Sequence, residues 1–278
     1  MTDLLSLGAD VQWPDHDRAS TVRAGLGDTA RLGRLAPLAE WVAGVHPLGV
    51  HEAFRSIHAV VIDGEPGAAA SAAAEAAGVG LRIVTDLPDW PSAALEAGVA
   101  LADAEADRGT DLLIVASPEV RADAALAVSV LTNTEPVKVL SRGAAATDPE
   151  AWMDLAVHVR DGRRRAMAHH DNADDLLTAI GSPRLALLAG LILRASVRRT
   201  PVVLDGPVAC AAALVAYEAQ PRAVRWWCAA DLGPDPLHEL ALTRLGQQVL
   251  LGVGSGLGDG LAGMLAVPLL QAAARLGG

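Results

Sequence analysis

The chain of 278 residues is 51% hydrophobic but only 3% aromatic, and its formal net charge at pH 7 is −11. This length allows one large domain, or one domain with a small appendage, whose core is built from Ala, Leu and Val. The negative field repels nucleic-acid backbones and anionic lipid surfaces, so we expect no nucleic-acid partner and no membrane partner.

Three further features indicate the compartment. The most apolar stretch, from Leu185, is closed by Arg184 and Arg194 after far fewer than the roughly 20 residues that a membrane span needs. The N-terminal residues lack the basic segment of a secretory signal, and Cys210 and Cys228 form no CxxC pair. We therefore expect a cytoplasmic protein whose two thiols are core residues.

In chain order, short β-branched runs alternate with Ala-rich stretches of helical period. This alternation predicts an α/β fold with a doubly wound, mostly parallel sheet and helices on both faces. The predicted strands are 58–63, 81–85, 111–116, 137–140, 201–205 and 224–230. Ligands of such sheets bind at the carboxyl ends of the strands, so we expect the chemistry in the loops after 63, 116, 140, 205 and 230.

Both ends of the chain have a helical pattern and lie outside the strand region. We expect them to pack together as a small helical layer beside the sheet. The predicted organisation is an α/β sheet domain over 51–240 and a small helical domain formed by 1–50 and 241–278.

Three loops contain candidate binding residues, each with a structural alternative. The turn DGEPGA at 63–68 opens a helix whose free N–H groups favour an anion, or it is a plain strand-to-helix turn. The Asp205 carboxylate, which precedes Gly206, either binds a ribose hydroxyl or caps the next helix. The glycines of 252–263 either let backbone donors approach a phosphate or sugar, or permit close helix packing.

The histidines give weaker indications. His238 begins a helix after two prolines, where a lone His is more often a cap or a surface residue than a catalyst. His169 and His170 are adjacent, and on a helix their side chains point about 100° apart, so they cannot face one ion. We expect no metal site and no cofactor.

Four motifs occur in the same order as in one known enzyme family. LGRLAPLAEWVAG at 32–44 and RTPVVLDGPVACAAAL at 199–214 match two of its patterns. GLGDGLAGMLAVPLL at 256–270 falls on RLGEGTGAALALPLL without a gap, and Asp235, Pro236 and His238 fall on HxSxEPGH. The chain thus resembles, over nearly its whole length, the nicotinate-nucleotide:dimethylbenzimidazole phosphoribosyltransferases of cobalamin lower-ligand synthesis.

The resemblance implies transfer of phosphoribosyl from nicotinate mononucleotide to a ring nitrogen of a benzimidazole-type base. Asp259 stands where the family has a glutamate, which implies that it is the general base for the attacking nitrogen. The family is usually homodimeric, so a homodimer is expected. The substrate-binding residues that the resemblance implies are Asp205 and Gly206 on the ribose side, with Glu65, Arg142, Gly143, Asp235, His238, Gly258 and Gly260.

Some loops depart from the family pattern. ASPEVRADA at 116–124 replaces GEMGIGNTT, a phosphate-holding loop, SRGAAAT at 141–147 replaces GRGTGID, and Asp231 replaces the first histidine of HxSxEPGH. Arg121, Arg142 and Arg184 are the cations near the strand ends that can replace the lost loop as a phosphate clamp. The departures leave an alternative open: a non-catalytic paralogue that serves as a binding or partner subunit, for instance in a heterodimer with an active homologue.

Overall fold

A computed structural model describes residues 3–46, 54–118, 122–141, 143 and 147–277. Five strands of the described residues form one sheet in the order β2-β1-β3-β4-β5, and every neighbouring pair is parallel. Short hydrophobic runs suit such strands, because helices cover both faces. The strands are β1 (Ile57–Ile62), β2 (Gly80–Val84), β3 (Leu112–Ala116), β4 (Val202–Asp205) and β5 (Trp227–Ala229).

Fourteen helices of the described residues surround the sheet, with short 3₁₀ turns at Met167–His169 and Pro221–Trp226. The first nine are α1 (Leu4–Gly8), α2 (His16–Gly25), α3 (Thr29–Leu32), α4 (Leu35–Val45), α5 (Ala68–Ala77), α6 (Pro91–Asp107), α7 (Ala122–Leu131), α8 (Pro136–Val139) and α9 (Pro149–Ala166). The last five are α10 (Ala173–Ile180), α11 (Pro183–Val197), α12 (Gly206–Ala219), α13 (Pro236–Leu245) and α14 (Leu261–Leu276).

The sheet separates two hydrophobic cores, because successive side chains of a strand point to opposite faces. Leu113 and Val115 of β3 belong to the core beneath α6, α7, α11, α12 and α13, whereas Leu112 and Ile114 belong to the core beneath α2, α4, α5 and α14. This arrangement confirms the predicted α/β fold with helices on both faces.

One predicted strand, 137–140, is wrong. Pro136–Val139 is the short helix α8, with Pro136 in its first turn and the Lys138 N–H donating to the Glu135 carbonyl at 2.9 Å. Proline suits a first helical turn, since its missing N–H has no partner to lose there. Val139 is fully buried in the first core, whereas Val137 is exposed, as expected for neighbouring residues of a helix at the protein surface.

The two ends of the chain meet through α4 and α14, which pack against each other, while α14 also packs on α5. They form the expected helical layer on one face of the sheet. Helix α1 lies on the opposite face against α11, where the backbone N–H of Leu4 donates to the Asp174 carboxylate at 3.0 Å. The boundaries proposed for two domains, near 50 and 240, stay a prediction.

Candidate functional site

The carboxyl edge of the sheet is lined by polar residues that directly follow strands. Asp63 follows β1, Ser117 follows β3, Asp205 ends β4, and Asp231 stands two residues after β5. Parallel strands place all their carboxyl ends at one edge, so residues far apart in sequence come together here. The glycine-rich segment 252–260 crosses this edge before α14 begins.

Asp259 is buried on this edge, with 6% of its surface exposed. Its Oδ2 accepts a hydrogen bond from the Gly67 N–H at 3.1 Å, and its Oδ1 accepts one from the Leu261 N–H at 3.2 Å. Gly258 (φ 60°) and Gly260 (φ 94°) take the left-handed conformation on either side of it. The carboxylate thereby fastens the turn after β1 to the first residue of α14.

The glycines of this edge are required by close backbone packing. A Cβ at Gly206 would lie 2.4 Å from the Gly258 Cα, and a Cβ at Gly258 would lie 3.0 Å from the Ser117 carbonyl oxygen. Both glycines also have positive φ, which side chains rarely adopt. Three loops, after β3, after β4 and before α14, therefore meet backbone to backbone.

Asp205 is 3% exposed, and its Oδ2 accepts a hydrogen bond of 2.6 Å from the Gly263 N–H in the first turn of α14. Its side chain makes no capping hydrogen bond to its own following helix, so the helix-cap alternative is wrong. Burial, with the nearby charges of Asp259 and Asp231, raises the pKa of Asp205 to about 7 despite the Gly263 hydrogen bond. This carboxyl group exchanges its proton near neutral pH.

Asp231 is the third buried acid of this edge, and we call Asp205, Asp231 and Asp259 the carboxylate cluster. The sequence predicted Asp231 only as a departure from a motif, not as a site residue. Its two carboxylate oxygens accept hydrogen bonds from the N–H groups of Val253 at 3.1 Å and Ser255 at 2.7 Å. They hold the glycine-rich segment over β5. The sequence nevertheless indicated the region of Asp231, because the loop after 230 was among those expected at the carboxyl edge.

His238 is 1% exposed, so it is not the surface residue that its sequence context favours. Its Nδ1 accepts a hydrogen bond from the Gly233 N–H at 3.2 Å, which leaves the proton on Nε2, and Nε2 has no partner among the described residues. Burial lowers the pKa of His238 to about 4, although Asp231 opposes this. The neighbouring Asp235 caps α13, its Oδ1 accepting from the Leu237 N–H at 3.3 Å.

Ser117 is a second polar residue that the sequence analysis missed. Its Oγ is buried and has no hydrogen-bond partner in the part of the chain that the structure describes. Buried polar groups are usually paired, so two unpaired donors at one edge, Ser117 Oγ and His238 Nε2, indicate a place where a ligand supplies the partner.

The phosphoribosyltransferase family model matches residues 90–277, a range that contains Asp205, Asp231 and Asp259. The chain is 42% identical to the nicotinate-nucleotide–dimethylbenzimidazole phosphoribosyltransferase of Streptomyces avermitilis over 186 residues, covering 66% of this chain and 50% of that one. For the protein of that name from Mycobacterium ulcerans, the identity is 40% over 187 residues, covering 66% and 52%. The chain belongs to the nicotinate-nucleotide:dimethylbenzimidazole phosphoribosyltransferase family.

The sequence matches and the structural match cover different shares of the chains. The matches span about half the length of these curated relatives. A crystal structure of the Thermus thermophilus nicotinate-nucleotide–dimethylbenzimidazole phosphoribosyltransferase superposes with a TM-score of 0.78 at 22% identity, covering 95% of this chain and 96% of that one. This likeness extends the shared fold beyond the segment matched in sequence.

Not every residue that the family resemblance implied lies in the carboxylate cluster. Glu65 and Gly143 are exposed, whereas Arg121 and Arg142 lie outside the described residues. Arg184 is buried, but its guanidinium donates to Asp123 at 2.7 Å and lies 3.9 Å from an oxygen of Asp63. Acids of the protein thus balance its charge, and a role of Arg184 in a phosphate clamp stays a prediction.

A cavity of about 840 Å³ lies away from this edge, and its described lining includes none of the residues predicted for the site. No cluster of three or more His, Cys, Asp and Glu among the described residues is arranged to hold a metal ion. In the same ranges, the helices are too short or too polar to cross a membrane.

Proposed function

We propose that this family member transfers phosphoribosyl from nicotinate mononucleotide to a benzimidazole-type base, in the assembly of the cobalamin nucleotide loop. The curated relatives carry the name of this reaction. The observation that carries the proposal is the buried carboxylate of Asp259, which two backbone N–H groups fix at the carboxyl edge beside Asp205 and Asp231.

In the proposed reaction Asp259 is the general base. A ring nitrogen of the benzimidazole gives its proton to the Asp259 carboxylate and bonds to the anomeric carbon of the ribose. The bond between that carbon and nicotinate breaks. Each oxygen of Asp259 accepts one backbone hydrogen bond, so a lone pair on each remains for the proton. A positioned base of this kind contributes roughly 10²–10⁴-fold to a rate.

The neighbouring acids also suit the transition state of this transfer. Positive charge builds at the anomeric carbon as nicotinate leaves, and fixed negative groups in a buried site stabilise such charge. Asp259 and Asp231 form no ion pair within the described residues, so their charges are not cancelled by a protein cation. Asp205, with a pKa of about 7, is proposed to bind a ribose hydroxyl either as acceptor or as donor.

The remaining contacts are proposals that rest on the family resemblance. Gly206 lies on the ribose side, and Arg142 and Gly143 bind the phosphate together with the backbone N–H groups of Gly258 and Gly260. Glu65, Asp235 and His238 complete the substrate contacts. His238 Nε2 supports its part in this set, because the buried N–H lacks a partner among the described residues.

A direct assay tests the proposal. The protein is incubated with nicotinate mononucleotide and dimethylbenzimidazole, and free nicotinate and the ribazole phosphate are measured by chromatography. Equal amounts of both products, formed only when Asp259 is intact, are expected. If millimolar mononucleotide and dimethylbenzimidazole yield no product with the folded protein, the proposal is wrong, and a non-catalytic binding or partner subunit describes the chain instead.

We also propose a cytoplasmic homodimer. The composition and the two unpaired thiols support the compartment, since both cysteines are free and buried. Sedimentation equilibrium of the purified chain is expected to give twice the monomer mass of 28.5 kDa. A monomer at micromolar concentration would contradict the homodimer.

A further inference from the structure

The large cavity lies at the opposite edge of the sheet from the carboxylate cluster. Its walls come from the segment after α1, from α4, from the end of α12 and the turn before β5, and from residues 245–250 after α13. It therefore opens beside β5, at the end where that strand begins. The volume of about 840 Å³ falls in the range of roughly 300–1,000 Å³ that is typical of small-molecule sites.

The cavity walls combine aromatic rings with guanidinium groups, and the described lining contains no Asp or Glu. In a chain with a net charge of −11, a cavity lined by arginines and no acids is a local reversal of the overall field. The lining side chains that carry the argument are Trp13, Trp41 and Tyr217, with Arg34, Arg222 and Arg225.

The arginines differ in how far they are already engaged. Arg34 donates to the Val249 carbonyl, and Arg222 donates to the Val11 carbonyl at 2.9 Å. Arg225 is exposed, and among the described residues its guanidinium has no hydrogen bond or ion pair. Two arginines thus bind only neutral carbonyls and the third has its whole fork of donors available, so no carboxylate in the described lining neutralises the cavity.

Two acidic side chains on the surrounding helices, next to lining residues in sequence, are each paired with an arginine. Glu218, beside Tyr217, pairs with Arg244 at 2.8 Å, and Glu40 of α4 pairs with Arg23 at 3.3 Å. Both carboxylates are thereby neutralised by arginines that do not line the cavity. The positive character of the cavity remains.

The aromatic walls are held in place without a ligand. The Trp41 Nε1–H donates to the Arg225 carbonyl at 3.0 Å, and the Arg222 guanidinium lies 5.4 Å from the ring centre of Trp13. Trp13 itself is 62% exposed, so its ring is accessible to a ligand. Exposed aromatic rings beside cations are typical of surfaces that stack a planar ligand.

We propose that this cavity binds a planar aromatic anion of about mononucleotide size, with the ring against Trp13 and the anionic group on Arg225. Arginine recognises carboxylate and phosphate through two parallel hydrogen bonds, so both anions share this chemistry. The site is separate from the carboxylate cluster, because the two lie at opposite edges of the sheet. A ligand here binds whether or not the proposed transferase reaction takes place.

Calorimetry with adenosine 5′-monophosphate as the probe tests the site in the full chain. A dissociation constant below about 1 mM is expected for the wild type. Adenosine, which lacks the charge, and inorganic phosphate, which lacks the ring, are expected to bind at least about tenfold more weakly. Nicotinate serves as the aromatic carboxylate, and the tighter of the two aromatic anions identifies the anionic group.

Two variants locate the probe in the cavity. Arg225→Ala removes a charged hydrogen-bond donor and Trp13→Ala removes a stacking surface, and each is expected to raise the dissociation constant about tenfold or more. The matched controls are Arg275→Ala and Trp90→Ala, since these side chains are also exposed but do not line the cavity. They are expected to change the constant less than twofold.

The proposal is overturned by either of two results. One is the absence of binding by both aromatic anions to folded wild-type protein at millimolar concentration. The other is binding that Arg225→Ala and Trp13→Ala leave unchanged, which would place the probe elsewhere. Because the readout is binding at residues remote from Asp259, neither result depends on whether turnover of nicotinate mononucleotide is observed.

Discussion

Buried acids lie at both edges of the sheet, but their surroundings are opposite. At the amino edge, Glu105 is 1% exposed and its carboxylate is bound by Arg82 at 3.0 Å, Arg108 at 3.0 Å, Thr110 at 3.0 Å and His58 at 2.9 Å. Burial raises its pKa, but the hydrogen bonds and positive neighbours outweigh this and lower the pKa overall.

At the carboxyl edge, three buried acids are held by backbone N–H groups. Among the described residues, Asp205, Asp231 and Asp259 accept such bonds and form no ion pair, and the pKa of Asp205 rises to about 7. An acid whose charge is neutralised by neighbouring cations stabilises the fold, and it has no uncompensated charge left to bind a substrate. Acids left unmatched in a buried place retain charge and proton affinity for a substrate.

The largest effect expected from this difference is on catalysis. Asp259→Asn removes the base but keeps the side-chain volume, so kcat for the transferase assay is expected to fall roughly 10²–10⁴-fold. Asp259→Glu keeps a carboxylate and has the longer side chain of the family's glutamate. Its kcat is expected to stay within about tenfold of the wild-type value. Steady-state assays of purified, folded variants measure both.

Asp259→Glu is the control that distinguishes a catalytic role of Asp259 from a structural one. If Asp259 only ties Gly67 to Leu261, Glu and Asn would lower the thermal midpoint and kcat together. If Asp259→Asn and the wild type have equal kcat, Asp259 is not the general base.

The second effect is on stability, at the other edge. Glu105→Gln leaves Arg82 and Arg108 without their acid, but both are partly exposed and reach water, so the free energy of unfolding is expected to fall by about 3 kcal/mol. Because Glu105 is remote from the site, kcat is expected to stay within twofold. Urea unfolding and a parallel activity assay measure both effects. If the fully folded Glu105→Gln variant loses most of its kcat, Glu105 is not a purely structural acid, and the proposed difference between the two edges is wrong.

The fold was largely predictable from the sequence because its parallel strands are short continuous hydrophobic runs between helical stretches. Where the rule failed, at 137–140, two valines follow a proline in a short helix that buries Val139 and exposes Val137, so composition alone could not separate the two structures. Helix α1 was also misplaced, because the pattern of Leu4 and its neighbours indicates an apolar face but not which face of the sheet it meets.

The site was only partly predictable. Asp205 and Asp259 followed from motifs and from the rule that loops at the carboxyl edge carry chemistry. Ser117 and Asp231 did not, since their importance comes from burial and from missing or backbone-only partners. That Arg184 is neutralised by Asp123 depends on a contact between residues 61 positions apart, which no local pattern contains.

The third effect is a pH dependence of stability that Asp205 creates. Its folded-state pKa of about 7 lies above its ordinary value of 3.8, so ionisation costs the folded state increasingly as the pH rises from about 4 to about 7. Asp205→Asn keeps an acceptor for the Gly263 N–H and removes this loss. Between pH 5 and pH 8 the wild type is expected to lose about 2 kcal/mol more stability than the variant, measured by urea unfolding. Parallel curves would show that Asp205 ionises freely.

The smallest effect has the opposite sign and comes from His238. Its folded-state pKa of about 4 lies below its ordinary value of 6.5, so the buried neutral ring favours folding above pH 6.5, and this contribution is lost as the pH falls toward 4. From pH 6.5 to pH 5.5 the wild type is expected to lose about 1 kcal/mol more stability than His238→Asn, which keeps an acceptor for the Gly233 N–H. If a substrate accepts the Nε2–H bond, His238→Asn is expected to bind nicotinate mononucleotide more weakly than the wild type at pH 7, measured by calorimetry. Equal affinity would mean that the nitrogen is a buried donor without a role in binding.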